Sequence, residues 1–277
     1  MLLRERRRPY VAPYVARADR ALSRLLSEHA FSPFAVPLME FVSGGKRVRP
    51  VLLYLSHEAC GGGAEPDPDP AAAAVELIHT ASLIHDDLID GDRVRRGKLA
   101  FHVRFGGDLA ILISDFVLSL VLDVSADYGD PRIARALART TRVMSEGEAE
   151  EARIRARREP ISFETYLRIL EKKTASLFSA SAELGAIIAG AEDRVISGMA
   201  EFGRLVGMAY QLRDDLLDFG KPGEISSLVE AKPVGPIGAA SEDFAQRAVD
   251  LLESLVSPSE ARDLLRELAL YATRWEG

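Results

Sequence analysis

The chain has 277 residues, enough for one large domain or two small ones, and 47% of them are hydrophobic against 28% charged. That balance supplies a soluble globular core, while a net charge of −7 leaves no basic excess for nucleic acid. The single cysteine, Cys60, rules out an intramolecular disulfide and leads us to expect a reducing, cytoplasmic setting.

In chain order, Arg4, Arg6, Arg7 and Arg8 are followed by Pro9 to Pro13 instead of an apolar run, so no signal peptide is expected. Apolar residues spaced three and four apart predict helices near 14–29, 34–43, 47–60, 71–90, 108–127, 131–151, 162–190, 193–219, 241–256 and 258–274. Gly61 to Pro70 is too rich in Gly and Pro for a helix and reads as a linker. The stretch Leu109 to Leu122 is the most apolar. Ser114, Asp115 and Ser119 interrupt it, so it reads as a buried core helix and not as a membrane anchor. Asp130-Pro131 and Ser257-Pro258-Ser259-Glu260 look like helix starts, the second a capping box, and Gly129 and Gly190 look like stops. Residues 220–239 carry Pro222, Gly223, Pro233, Gly235, Pro236 and Gly238 and read as an irregular flap. No run alternates with period two, so no sheet is expected. The prediction is a single all-α bundle spanning 1–277.

Two pentads interrupt this apolar pattern, Asp86-Asp87-Leu88-Ile89-Asp90 and Asp214-Asp215-Leu216-Leu217-Asp218. At 3.6 residues per turn, Asp86 shares a helix face with Asp90, and Asp214 with Asp218. Carboxylates one turn apart repel unless a cation lies between them. Oxygen-only donors suit a hard ion, most simply Mg²⁺ shared with substrate phosphates. The fold is therefore expected to bring both pentads to one charged ligand.

Cations accompany the pentads in sequence. Gly44-Gly45-Lys46-Arg47-Val48-Arg49-Pro50 is a glycine turn entering a helix, and its amides with Lys46 and Arg49 suit a diphosphate. Arg95-Arg96-Gly97 follows the first pentad, Lys172-Lys173-Thr174 lies in an apolar helix, and Gln211 precedes Asp214 by three residues. Any one basic pair reads as solvated surface; the whole set predicts a ligand that is anionic at one end and greasy at the other. Glu76-x-x-His79 is half of a carboxylate-bridged di-iron motif. None of His29, His57, His85 or His102 has a Glu three residues before it, so that reading fails. His79 lies two turns before Asp86 on the same face and is assigned to the ligand, whereas His85 and His102 read as structural.

These residues together resemble the trans-isoprenyl diphosphate synthases over nearly the whole chain. The markers are Gly-Gly-Lys-Arg-x-Arg-Pro at 44–50, Glu-Leu-Ile-His-Thr-Ala at 76–81, both pentads, Arg-Arg-Gly at 95–97, Lys-Thr at 173–174 and Gln211. The resemblance implies an all-α isoprenoid-synthase bundle with a central substrate tunnel, Mg²⁺, a homodimer, and condensation of isopentenyl diphosphate with an allylic diphosphate. It implies that Asp86, Asp90 and Asp214 bind the metal, while Asp87, Asp215 and Asp218 ligate through water or orient other groups. By the same resemblance Arg95, Lys173, Lys221 and Lys232 contact the allylic diphosphate, and Lys46, Arg49, His79 and Arg96 hold isopentenyl diphosphate. Thr174 and Gln211 supply oxygens to the allylic cation. Residues 223–236 depart from the family pattern: Lys232 is kept, but Ala231 and Val234 replace an expected Gly and Thr.

In such proteins the residues just before the first pentad line the tunnel. Here they are Ala81 and Ser82, small enough to predict a product of geranylgeranyl length or longer. Tight helix packing would also favour small residues at both positions. Two other functions share most of these features. A class I terpene cyclase would carry Asn, Ser and Glu in its second metal motif and have no use for Gly-Gly-Lys-Arg. A non-catalytic subunit of a heteromeric synthase would normally have lost one pentad.

Overall fold

The computed structural model describes residues 8–95, 97–218, 225–230 and 234–274, without the side chains of 8–10, 217–218 and 234–236. Arg96, Lys221 and Lys232 lie outside the described residues, as does the side chain of Asp218.

Helices dominate because the apolar spacing is helical almost throughout. In order they are α1 (Arg8–Ser27), α2 (Ala35–Val42), α3 (Val48–Ala59), α4 (Asp69–Asp90), α5 (Phe101–Phe105), α6 (Gly107–Asp127), α7 (Pro131–Arg157), α8 (Phe163–Leu170), α9 (Ser176–Ile188), α10 (Asp193–Asp218), α11 (Val234–Leu255) and α12 (Glu260–Ala272). Two compact units are distinguished, Met1–Tyr54 with Asp67–Ala134, and Leu55–Pro66 with Arg135–Gly277. In the first unit α4 packs against α1, α5 and α6. Its start is an alanine run, and Ala71 through Ile78 are all buried. In the second, α10 packs against α9, α11 and α12. Gly203 and Gly207 make the α9 approach possible, because a Cβ on Gly203 would lie 2.4 Å from the Phe178 carbonyl oxygen.

Several expectations hold at residue level. Asp130 caps α7, its Oδ1 accepting the Arg132 N–H at 2.8 Å, and Gly129 and Gly190 adopt φ of 67° and 73°. Others are corrected. α1 begins at Arg8, six residues before the predicted start, and contains Pro13, forgoing one backbone hydrogen bond. The capping side chain of α12 is Ser259, which accepts from the Arg262 N–H; the turn after Leu255 consumes Val256 to Ser259, so Ser257 comes too early. A small antiparallel hairpin, β1 (Val94–Arg95) with β2 (Lys98–Leu99), follows the first pentad where no sheet was expected. Gly97 at φ 75° makes its turn.

The predicted 162–190 helix is broken by a π turn at Glu171–Ala175. The 220–239 flap is also shorter than expected. Ile225–Leu228 forms a 3₁₀ turn, and α11 starts at Val234 because Gly and Pro are tolerated in a first turn. Backbone bonds from Ile161 N–H to Leu228 O (2.9 Å) and from Glu230 N–H to Ile161 O (3.1 Å) tie the 225–230 segment to the start of α8. Finally, α6 is not a fully buried core helix. It buries Ala110, Ile113, Val117, Leu120 and Val124 but exposes Ile111, Leu112, Leu118 and Leu122. Among the described residues it is the one helix long and apolar enough to cross a membrane by length and composition.

Candidate active site

Both pentads occupy the final turn of a helix, α4 ending at Asp90 and α10 at Asp218. The negative end of a helix dipole disfavours carboxylates by about 0.3–1 kcal/mol each. Six aspartates at two such ends concentrate negative charge there. Gly91, left-handed at φ 71°, ends α4 directly after the first pentad, and its N–H donates to the Asp87 carbonyl.

In the first unit the three aspartates separate by role. Asp86 is half-buried and Asp90 exposed, whereas Asp87 is 0% exposed. Arg95 Nε donates to Asp87 Oδ1 at 2.6 Å, and Oδ2, also buried, has no partner. Burial pushes the Asp87 pKa up, with the Arg95 hydrogen bond and charge opposing. The hairpin thus delivers Arg95 to the pentad through Asp87, and Asp87 acts as its orienting group. Lys46 is exposed in the glycine turn, Arg49 lies in the first turn of α3, and half-buried His79 lies on α4. Ala81 is buried on α4 and Ser82 half-buried, its hydroxyl donating to His79 O at 2.9 Å. His85 Nε2 and Ser114 Oγ are 2.5 Å apart, which links α4 to α6 and suits the structural role expected of that histidine.

In the second unit a continuous network runs through the second pentad. The Thr174 hydroxyl donates to Gln211 Oε1 at 2.9 Å, and Gln211 Nε2 donates to Asp215 Oδ1 at 2.6 Å. The Tyr166 hydroxyl donates to Asp215 Oδ2. A carboxylate only accepts, so Asp215 fixes the amide orientation of Gln211, which in turn spends the Thr174 proton. That network spends the Thr174 proton and not its oxygen lone pairs. Asp214, one residue earlier, is exposed. The π turn sets Lys173 and Thr174 where they are. Gly147 on α7 lets it approach, since a Cβ there would meet Lys172 Cβ at 2.7 Å and Lys173 N at 3.1 Å. Lys173 Nζ lies 2.6 Å from Glu148 and 2.7 Å from Glu151. Lys172 and Arg168 bind Glu150 at 2.8 and 2.6 Å and hold its pKa down.

The sequence reading missed Tyr166, Glu148, Glu151 and Arg47. Tyr166 falls within the predicted 162–190 helix, and Glu148 and Glu151 within the predicted 131–151 helix. Their spacing carried no sign of Asp215 or Lys173.

The donor set fits a hard divalent ion. Each pentad offers only carboxylate oxygen, and among the described residues no group of three or more Asp, Glu, His or Cys side chains is placed to hold a metal ion. Oxygen-only donors suit Mg²⁺, which usually keeps water and phosphate in its remaining coordination positions.

Solved structures with this architecture define the class. One is a geranylgeranyl pyrophosphate synthetase from the archaeon Geoglobus acetivorans, 26% identical with TM-score 0.84 over 96% of this chain and 99% of that one. Another is a polyprenyl synthase from Caulobacter crescentus complexed with calcium and isoprenyl diphosphate, 29% identical with TM-score 0.79 over 95% and 96%. A family model described as polyprenyl synthetase matches residues 33–227, and the chain belongs to that family of trans-prenyl diphosphate synthases. Its relatives include a geranylgeranyl diphosphate synthase of Methanosarcina mazei, 39% identical over 69% of this chain and 61% of that protein. An octaprenyl diphosphate synthase of Escherichia coli is 32% identical over 80% and 70%. A farnesyl diphosphate synthase and a component of a heptaprenyl synthase also match, so the relatives' products differ in length.

Proposed function

We propose that this protein condenses isopentenyl diphosphate with an allylic diphosphate and elongates the product to geranylgeranyl length or beyond. The observation that carries the reaction is the division of labour within each pentad. Asp87 holds Arg95 and Asp215 holds Gln211 and Tyr166, while half-buried Asp86 and exposed Asp90 and Asp214 stand in the last turns of their helices, which supports a role as cation ligands.

Asp86, Asp90, Asp214 and Asp218 would hold Mg²⁺, which supplies positive charge to the diphosphate as its allylic carbon–oxygen bond breaks. Arg95 and Lys173 donate charge-assisted hydrogen bonds to the leaving oxygens. The oxygens of Thr174 and Gln211 face the allylic cation, and apolar helix walls exclude water from it. Lys46, Arg49, His79 and Arg96 position isopentenyl diphosphate so that its double bond attacks. The proton then lost passes to the departed diphosphate. Lys221 and Lys232 are assigned to the allylic diphosphate by family resemblance. The small side chains of Ala81 and Ser82 support the longer product.

The exposed apolar face of α6 supports a homodimer. A heteromeric assembly is the second reading, favoured by the heptaprenyl synthase component among the relatives. The test is to incubate the purified chain with Mg²⁺, isopentenyl diphosphate and, in turn, dimethylallyl, geranyl and farnesyl diphosphate, then size the products. Elongation by the chain alone is expected. Its absence with every primer refutes an autonomous synthase, and a product no longer than farnesyl refutes the length assignment.

A further inference from the structure

Arg47 stands in the basic glycine turn, yet it is only 4% exposed and its φ is +53°, a strained value for a residue with a side chain. Its guanidinium is bound on three sides. Nε donates to Asp19 Oδ1 at 2.8 Å, Nη1 to Glu76 Oε1 at 2.8 Å, and Nη2 to Val42 O at 2.6 Å. Glu76, on α4, is also 4% exposed. A buried pair of this kind is a weak source of net stability, because desolvation offsets the attraction, but a strong geometric constraint. The second glycine of the motif follows from it. Gly44 turns at φ +87°, and a Cβ on Gly45 would lie 2.6 Å from Arg47 Nη1 and 3.3 Å from Glu76 Oε1.

Arg47 is therefore committed to protein partners. Its carbonyl accepts the Val51 N–H at 3.0 Å, which starts α3 and sets where Arg49 falls on that helix. Glu76 is one turn before His79 on α4. We propose that Arg47 and Glu76 are positioning residues of the isopentenyl diphosphate subsite. Their ion pair locks the Lys46–Arg49 segment to the helix carrying His79. The inference rests on the assignment of Lys46, Arg49 and His79 to that substrate.

The experiment uses the full chain, with KM for isopentenyl diphosphate and for the allylic primer measured separately. Glu76→Gln should raise KM for isopentenyl diphosphate about tenfold or more, with kcat and the primer's KM within about threefold, the pattern of lost uniform binding for one substrate. A merely structural pair would lower stability and move both KM values together, or neither, and either result overturns the proposal. If Glu76→Gln does not fold, Asp19→Asn at the half-exposed end of the cluster decides. A selective rise of about threefold in the same KM supports the lock, and no change overturns it. Lys46→Ala and Arg49→Ala test the underlying assignment on their own. If neither raises KM for isopentenyl diphosphate, the subsite reading falls and the proposal with it. If they do while Glu76→Gln does not, only the lock is wrong.

Discussion

Replacing Tyr166 with Phe isolates one hydrogen bond. The ring is 0% exposed, packed with Ile169, Leu212 and Ile225 and tilted against Phe163 at 5.9 Å, so Phe fills the same volume and opens no cavity. What is lost is the hydroxyl donor to Asp215 Oδ2, while Gln211 still holds Oδ1 at 2.6 Å. A hydrogen bond to a charged group contributes about 1.5–3 kcal/mol. Asp215 is only half-buried, so water replaces part of it and the lower end, about 1.5 kcal/mol, applies. If the network holds Gln211 and Thr174 toward the allylic cation, that loss appears as a kcat reduced about tenfold, at 1.36 kcal/mol per decade. KM should stay near its original value, since the bond is not to substrate. The assay is steady-state turnover with both diphosphates saturating, beside thermal unfolding. An unchanged kcat with a lowered melting temperature would reduce Tyr166 to packing. No change in either would refute the hydrogen-bond argument altogether.

Ser82→Phe should shorten the product while turnover persists; sized products of unchanged length would place the tunnel wall elsewhere. Gly207→Ala sets a helix-propensity gain of about 1 kcal/mol against overpacking that costs about 1–3 kcal/mol. Its Cβ would lie 2.7 Å from Ala175 Cα, backbone that cannot yield, so we expect net destabilisation and a displaced π turn, read as a lower melting temperature and lower kcat. Glu150 has its pKa lowered chiefly by the Lys172 hydrogen bond and then by Arg168, and Glu201 has its pKa lowered by Arg204. A depressed carboxylate stabilises the fold above its unfolded pKa, and that contribution is lost as pH falls through the folded pKa. Melting temperature should therefore decline on the acid side, below about pH 4.3, and Glu150→Gln should flatten part of that decline. A parallel decline in wild type and variant would remove the Lys172–Glu150 pair from the account.

The sequence by itself determined the helical class, because apolar spacing survives without knowledge of partners. It also located the pentads, because three carboxylates in an apolar helix contradict packing unless a cation binds them. Gly129, Gly190 and Asp130 were legible for the same local reason, since a stop or a cap is a property of a few neighbouring residues. Tertiary structure alone decided which partners Asp87 and Asp215 take. Asp87 and Asp86 are adjacent and identical in type, and only the hairpin that brings Arg95 separates them. Asp215 and Asp214 are divided likewise by Tyr166, 49 residues away in sequence. Arg47, between Lys46 and Arg49 in one basic turn, is held by Asp19 and Glu76, 28 and 29 residues distant. Long-range partners leave no periodic trace in a chain, so the scaffold partners of these charges had to come from the fold.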